Sequence, residues 1–131
     1  MSLVDMINQN ENAFTFAPMS QDRIRQAEKE LNVTFSKEYV DYLAQFGVSI
    51  FGGHELTGLC DGKRLDVVRI TQEQKKRNNY LPDDWYVVEY LDIDNVVIWQ
   101  DHDGMIYETV SNTKVRKIAD SLVEYIKLSS C

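Results

Sequence analysis

The chain has 131 residues, of which 44% are apolar and 27% charged, and its formal net charge is −7 at neutral pH. This length is close to the common size of one domain, and the composition excludes a disordered chain. No apolar run reaches the ~20 residues that a membrane-spanning helix needs, and the first residues lack the basic flank of a secretion signal. We therefore expect one domain over residues 1–131, with a cytoplasmic location and with Cys60 and Cys131 as free thiols.

Hydrophobic periodicity predicts three helices in the first part of the chain. Apolar positions in residues 3–7 indicate a short helix, and residues 14–16 indicate an extended segment. Ser20 and Ser36 can each cap a longer helix, because apolar residues flank each serine at the spacing of a hydrophobic staple. The second of these helices has an apolar stripe and ends at Phe46-Gly47, so residues 20–47 predict an αα-hairpin.

The middle of the chain predicts a Gly52-Gly53 turn, a short strand over residues 54–59 and a further helix. Two starts for this helix fit the sequence, because Asp66 has the staple spacing whereas a capping-box motif begins at Thr71. We favour Asp66 as the N-cap of a helix over residues 67–79. The second half of this helix is polar on all sides, so we expect it to be exposed.

Residues 78–113 predict an antiparallel meander. The runs 85–91, 96–100 and 105–110 are rich in β-branched and aromatic residues and are separated by Asp, Asn and Gly. Asp103-Gly104 suits a two-residue type I′ turn, which would pair Trp99 with Glu108 and Gln100 with Tyr107. Large apolar side chains on both faces mean that either helices cover both faces or one face meets a partner, and we favour the first.

Helical spacing over residues 115–128 predicts a closing amphipathic helix that packs on this sheet. The predicted architecture is therefore α+β, with a helical hairpin before the meander and a helix after it.

The meander segment also carries a strong charge imbalance. It holds eight of the 21 acidic residues and no Lys or Arg, whereas the other 13 acidic residues are balanced by all 14 basic ones. Because complementary charge steers association, this imbalance predicts a contact surface for a basic protein partner, although a solvated surface that favours solubility is the alternative. With the aromatic residues typical of interface hot spots, the candidate contact residues are Asp83, Asp84, Glu89, Asp92, Asp94, Asp101, Asp103, Glu108, Trp85, Tyr90, Trp99 and Tyr107.

Two residue combinations suggest chemistry at first. A Cys60–His54 nucleophilic pair would need a third orienting group that the sequence does not supply, so we favour an inert buried cysteine beside a surface histidine. The Asp101-His102-Asp103-Gly104 run could ligate a divalent ion, but a tight turn selects the same residues for backbone reasons. Phosphate-binding and nucleophile-elbow motifs are absent, and basic residues do not cluster with aromatic ones. We expect no enzyme activity, no metal or cofactor, and no direct nucleic-acid or membrane binding.

A longer pattern runs through core positions and turns of residues 20–128. Its members are Ile24, Ala27, Glu28, Leu31, Phe35-Ser36, Tyr39, Leu43, Phe46-Gly47, Glu55-Leu56, Gly58, Asp66-Val67-Val68 to Thr71, Leu81-Pro82, Trp85 to Val88, Asp103-Gly104, Ile106-Tyr107 and 118–122. This pattern resembles the SUKH superfamily, which includes the fungal cell-wall assembly regulator and many bacterial immunity proteins. The resemblance implies an α+β fold without catalysis and, in bacteria, a cytoplasmic immunity protein that blocks a toxin, often a nuclease. An intracellular adaptor or regulator, linked to signalling or the cell envelope, is the second functional class.

Overall fold

The computed structural model describes residues 1–61, 63–91, 95–110 and 115–129. The candidate residues Asp92 and Asp94, and Cys131, lie outside these ranges. In chain order the elements are α1 Leu3–Asn8, β1 Phe14–Thr15, α2 Gln21–Leu31, α3 Lys37–Phe46, β2 Ser49–Phe51, β3 His54–Leu56, α4 Val67–Arg77, β4 Tyr86–Leu91, β5 Val96–Gln100, β6 Ile106–Val110, β7 Arg116–Ala119 and α5 Leu122–Ser129. The predicted α+β class is confirmed.

The strands form two antiparallel sheets, one of β1-β2-β3 and one of β4-β5-β6-β7. The second sheet is the predicted meander, extended by one strand. Thr57, which follows β3, donates its backbone N–H to the Val88 carbonyl at 2.9 Å and so connects the two sheets. The predicted turn at Gly52 and Gly53 is confirmed, and both glycines have positive φ, as a tight hairpin turn requires.

The predicted helix starts are confirmed. The Ser20 hydroxyl accepts a hydrogen bond from the Arg23 N–H at 3.2 Å, and the Ser36 hydroxyl accepts one from the Tyr39 N–H at 3.0 Å. Helix α4 begins directly after Asp66, the earlier of the two possible starts, although the Asp66 side chain makes no capping hydrogen bond. Helix α3 ends before Gly47, where φ is +70° and an added Cβ would lie 2.4 Å from the Ala17 carbonyl oxygen.

Helices cover both faces of the meander, as we favoured. Tyr86, Ile98 and Ile106 point into the larger core together with α2, α3 and α5. Val87 and Trp99 point to the opposite face, where α4 supplies further apolar side chains. The apolar character of both faces therefore reflects burial on both sides.

The predicted turn between β5 and β6 is wrong by one residue. The Asp101 N–H donates to the Met105 carbonyl and the Gly104 N–H donates to the Asp101 carbonyl, each at 3.1 Å, so the loop spans residues 102–104. Trp99 therefore pairs with Tyr107, and Gln100 pairs with Ile106. The physical reason is the Asp101 carboxylate, whose Oδ1 accepts the N–H groups of Asp103 inside the loop and of Met105 directly after it, which stabilises the wider turn.

The predicted closing helix is also too long, because β7 occupies residues 116–119 and α5 begins only at Leu122. Pairing with β6 satisfies the β7 backbone, and the Glu38 carboxylate accepts the N–H groups of Leu122 and Val123 at 2.8 and 3.3 Å. Strand β2 is a further element that periodicity did not indicate. The expectation that the polar residues 72–79 are exposed is wrong for Gln74 and Asn78, each of which is 7% exposed.

No helix in the described ranges is both long enough and apolar enough to cross a membrane.

Candidate protein-contact surface

The structure divides the twelve candidate contact residues by exposure. Exposed or partly exposed are Asp83, Asp84, Asp103, Glu108, Tyr90 and Tyr107. Buried are Glu89, Asp101, Trp85 and Trp99. Glu89 is 1% and Trp99 0% exposed, so neither side chain lies on a contact surface, contrary to the prediction. Asp92 and Asp94 lie outside the described residues.

Two of the exposed acids, Asp84 and Asp103, come together at one end of the meander, and the neighbouring Asp83 accepts a hydrogen bond from Lys75 Nζ with its backbone carbonyl. Asp83 and Asp84 precede β4, and Asp103 lies in the loop between β5 and β6. His102 joins two of them, since its Nδ1 lies 3.1 Å from Asp84 Oδ2 and its Nε2 lies 3.4 Å from Asp103 Oδ1. We call Asp83, Asp84, His102 and Asp103 the acidic corner. The sequence indicated these acids but gave no sign that His102 lies between two of them.

The acidic corner changes the acid–base behaviour of its histidine. Hydrogen bonding to Asp84, together with the nearby charge of Asp103, raises the pKa of His102 above its ordinary value. The imidazole is about half exposed, with a side-chain exposure of 52%. Its protonation therefore changes the net charge that the corner presents to solvent.

Asp101 holds the loop of the acidic corner in place through hydrogen bonds. Its Oδ1 accepts hydrogen bonds from the Asp103 and Met105 N–H groups at 3.0 Å, and its Oδ2 accepts one from the Tyr107 hydroxyl at 3.0 Å. Partial burial and this hydrogen bond to Asp101 raise the pKa of Tyr107 to about 12. Asp101 is 8% exposed, so it positions the loop and is not itself the main contact group.

An aromatic pair lies beside the carboxylates. The rings of Trp85 and Tyr107 stack at a centroid distance of 3.9 Å with an interplanar angle of 14°. Trp85 is buried and Tyr107 partly exposed, so the pair presents the edge of a rigid apolar surface next to the charges. Aromatic groups fixed in this way lose little side-chain entropy when a partner binds.

An open polar cleft of about 680 Å³ adjoins the acidic corner. Asp84 and His102 form one wall, and Arg25, Glu28 and Lys29 of α2 form the other. The Glu28 carboxylate accepts the Phe35 N–H at 2.8 Å, which ties this wall to the loop between α2 and α3. Because both signs of charge line the cleft, it suits a polar segment of a partner better than an apolar small molecule.

The two other described acids of the segment that could extend this surface, Glu89 and Glu108, have local partners. Glu89 faces the larger core because of a β-bulge after Val87, and its carboxylate lies 3.0 Å from His54 Nδ1. Glu108 forms an ion pair with Arg116 of β7 at 3.0 Å, on the opposite face of β6 from Tyr107. Among the described residues of the segment, the acids without such a partner therefore lie at the acidic corner.

The residues that suggested chemistry are arranged differently from a catalytic site. His54 is buried against Glu89, so the expected surface histidine is wrong, and Cys60 is only half-buried. Burial, and secondarily the charge of Asp66, raises the pKa of the Cys60 thiol, which disfavours the nucleophilic thiolate. Within the described ranges, no three His, Cys, Asp or Glu side chains form a group that could hold a metal ion. The arrangement at the acidic corner is suited to non-covalent recognition of a partner.

Comparison with known proteins identifies the family. The family model SUKH_5, described as SMI1-KNR4 cell-wall, matches residues 1–129. A search of curated proteins found no match. The matched region contains the helical hairpin, both sheets and the acidic corner, and the α+β fold agrees with the resemblance seen in the sequence. The chain belongs to the SUKH_5 family of the SUKH superfamily.

Proposed function

We propose that this protein is a cytoplasmic immunity protein without catalytic activity, which binds and neutralises a cognate toxin domain through the acidic corner. The observation that carries the proposal is the convergence of Asp84 and Asp103 on His102, beside the stacked Trp85–Tyr107 pair. Carboxylates next to a rigid aromatic surface supply both charge complementarity and an anchor for a basic protein. Membership of the SUKH superfamily, which includes bacterial immunity proteins, supports the same function.

The physical roles of the two parts differ. The carboxylates attract a basic surface over a screening length of about 8 Å at physiological salt, so they govern the rate of encounter. The Trp85–Tyr107 pair governs the lifetime of the complex, since mutational changes in buried apolar contacts act mainly on dissociation. A nuclease is the toxin class that this surface fits best, because nucleases carry basic clefts that bind phosphates.

The test compares two variants with the same change in charge. Asp83, Asp84 and Asp103 are all changed to Asn in the first, whereas the control carries Glu11→Gln, Glu30→Gln and Asp41→Asn at exposed positions outside the corner. Association is measured against the basic protein that co-purifies with this chain or is encoded beside it. We expect the corner variant to associate roughly tenfold or more slowly at low salt. The control should stay near the wild type, and high salt should reduce the difference. Equal rates for the two variants would contradict the proposal.

A second candidate function is favoured by the description of the matched family model, which names the cell wall. Under this alternative the same corner binds a basic regulatory or cell-envelope partner, and the protein acts as an intracellular adaptor. The identity of the co-purified partner distinguishes the two functions, because only an immunity protein suppresses a toxic activity of its partner. Protection of cells that express the partner supports the first function, and an interaction without toxicity supports the second.

A further inference from the structure

A second candidate surface lies at the free edge of the smaller sheet. Strand β1 is the outer strand in the order β1-β2-β3, and no described strand pairs with its other edge. The Phe16 N–H donates to the Val48 carbonyl, next to β2, at 2.9 Å. Because successive residues of an antiparallel strand direct their backbone groups to opposite edges, the N–H and C=O of Thr15 face away from β2. This edge can therefore form hydrogen bonds with a further strand.

The edge also lacks the features that usually protect an exposed strand. Residues 12–20 contain no charged side chain, and Pro18 lies after β1 and not within it. Phe14 is 60% exposed, and its ring packs edge-to-face on that of Phe16 at a centroid distance of 5.7 Å. Charged residues and prolines within edge strands prevent pairing with another chain. An exposed, uncharged strand with two phenylalanines therefore indicates a surface that another strand covers.

The sequence of the strand indicates which chain fits it. Residues 13–17 read Ala-Phe-Thr-Phe-Ala, which is the same in both directions about Thr15. Two such strands can pair antiparallel with Thr15 opposite Thr15 of a second copy, and each Phe14 then lies opposite a Phe16. An interface with twofold symmetry requires a surface that is complementary to itself, and this strand meets that requirement.

The backbone of β1 agrees with this register. The groups that face outward belong to Thr15, so the central pair of threonines exchanges two hydrogen bonds. The pairs of Phe14 with Phe16 then occupy non-hydrogen-bonded positions, where facing side chains are closest because the Cα atoms are only ~4.5 Å apart. Aromatic residues directly opposite each other at such positions stabilise an antiparallel pair.

Charge also favours a second copy at this edge. Each chain has a net charge of −7, so two copies repel each other wherever their acidic surfaces meet. The uncharged residues 12–20 let two copies approach without placing like charges opposite each other.

We propose that β1 pairs with β1 of a second copy of this chain, in an antiparallel register centred on Thr15, and joins the two three-stranded sheets into one sheet of six strands. The pairing uses the free edge of β1 in both copies, so association through it stops at a dimer. Residues 13–17 of each copy are far fewer than the ~20–30 residues per side of a stable dimer, so the association is weak and reversible.

Sedimentation of the full chain tests the pairing. Between about 10 µM and about 1 mM at physiological salt, the wild type should change reversibly from monomer to dimer without larger species. Because both copies are negative, the dissociation constant of the dimer should fall as added salt screens their repulsion. Binding of a basic partner to the acidic corner should weaken with salt, so the two associations respond to salt in opposite directions.

A charge placed in the strand should disrupt the dimer. Phe14→Lys introduces the kind of residue that protects natural edge strands, and we expect it to raise the dissociation constant by about tenfold or more. Leu128→Lys is the matched control, because Leu128 is 58% exposed and lies in α5, outside the sheet. Its dissociation constant should stay near that of the wild type. Backbone ¹H–¹⁵N spectra at low concentration verify that both variants keep the wild-type fold.

Disulfide trapping tests the register in a chain that carries Cys60→Ala and Cys131→Ala. Thr15→Cys places two thiols opposite each other at the twofold axis, where the Cα atoms are ~5.5 Å apart and a disulfide can form. Ala17→Cys is the control in the same exposed segment. Its two Cα atoms would lie roughly 14 Å apart in the proposed register, beyond the ~7 Å that a disulfide can bridge. We therefore expect oxidised dimers from Thr15→Cys and not from Ala17→Cys.

Three results would overturn the pairing. They are a wild type that stays monomeric up to about 1 mM, a loss in Phe14→Lys no larger than that in Leu128→Lys, and trapping of Thr15→Cys that does not exceed that of Ala17→Cys. No residue of the acidic corner belongs to β1, and no other protein enters the experiment, so its result is independent of the proposed function.

Discussion

Glu89 and His54 form a buried contact in which Glu89 Oε1 lies 3.0 Å from His54 Nδ1. The same carboxylate accepts hydrogen bonds from the Glu55 N–H at 2.9 Å and from the Tyr125 hydroxyl. One side chain of β4 thus connects β3 and α5 inside the larger core. Glu89 belongs to the most negative segment of the sequence. In the structure it is a buried residue that stabilises the fold.

Because of these buried contacts, the stability of the protein should be sensitive to truncation of Glu89. Glu89→Ala should lower the free energy of unfolding by about 3–5 kcal/mol, because it leaves a buried imidazole and a backbone N–H without their acceptor. Urea unfolding of the variant and the wild type measures the loss. Glu108→Ala is the matched control, since its ion pair with the largely exposed Arg116 should contribute only about 0–1 kcal/mol. A loss for Glu89→Ala no larger than that of the control would contradict the anchoring role.

Asp101 should behave as a residue that holds its loop. Asp101→Ala removes the acceptor of three hydrogen bonds, two of them from the backbone N–H groups of Asp103 and Met105, and should cost about 1–3 kcal/mol. We also expect faster hydrogen exchange at the amides of Asp103 and Met105, which would lose their partner. Asp103→Ala, at an exposed position of the same loop, is the control and should leave both measurements close to those of the wild type. Unchanged exchange in Asp101→Ala would contradict this role.

The meander was predictable because its strands have strong local signals, whereas its register was not. Asp103-Gly104 is a good two-residue turn by local preference, but Asp101 accepts loop N–H groups and selects the longer turn. Compared with the predicted pairing, the register between β5 and β6 is shifted by one residue. This shift places Tyr107 on the same face of the sheet as Trp99 and Glu108 on the opposite face. The composition of the acidic corner depends on this register, so sequence could indicate its residues but not their arrangement.

The end of the chain shows a second limit of periodicity. Apolar spacing continues from Ile118 to Ile126, so the sequence favours one helix there. The structure instead pairs Ala119 with Ile106 and uses Glu38, 84 positions before Leu122, to cap the start of α5. Contacts between residues so distant in sequence override local preference, and no local pattern reveals them.

The packing of the helices leads to a prediction about two leucines. Leu43 of α3 and Leu122 of α5 are both 0% exposed in the larger core, so Leu43→Ala and Leu122→Ala should each cost about 2–5 kcal/mol. Leu128→Ala is the control, since Leu128 lies in the same helix as Leu122 but is 58% exposed. Denaturation midpoints measure the three variants. Unchanged midpoints for both core variants would be incompatible with the packing described above.

His102 should report the electrostatics of the acidic corner directly. Because Asp84 and Asp103 raise its pKa, its ¹³C–¹H imidazole signal should titrate above pH 6.5, and Asp84→Asn should lower the midpoint. The folded state binds this proton more tightly than the unfolded chain does. The resulting stabilisation is complete below the unfolded pKa and is lost as the pH rises through the folded pKa. A midpoint at or below 6.5, or one that Asp84→Asn leaves unchanged, would contradict the contact between His102 and Asp84.

The same titration leads to the last prediction, which rests on the proposed function. As the pH falls through the pKa of His102, the imidazole gains a positive charge between Asp84 and Asp103, and the corner attracts a basic partner less strongly. Association should therefore slow on acidification in the wild type, and this dependence should be weaker in His102→Gln, whose side chain stays neutral. Across the cleft Arg25, Lys29 and Glu28 also face His102. An association rate with the same pH dependence in both proteins would show that His102 does not regulate binding, even if the corner itself is the contact surface.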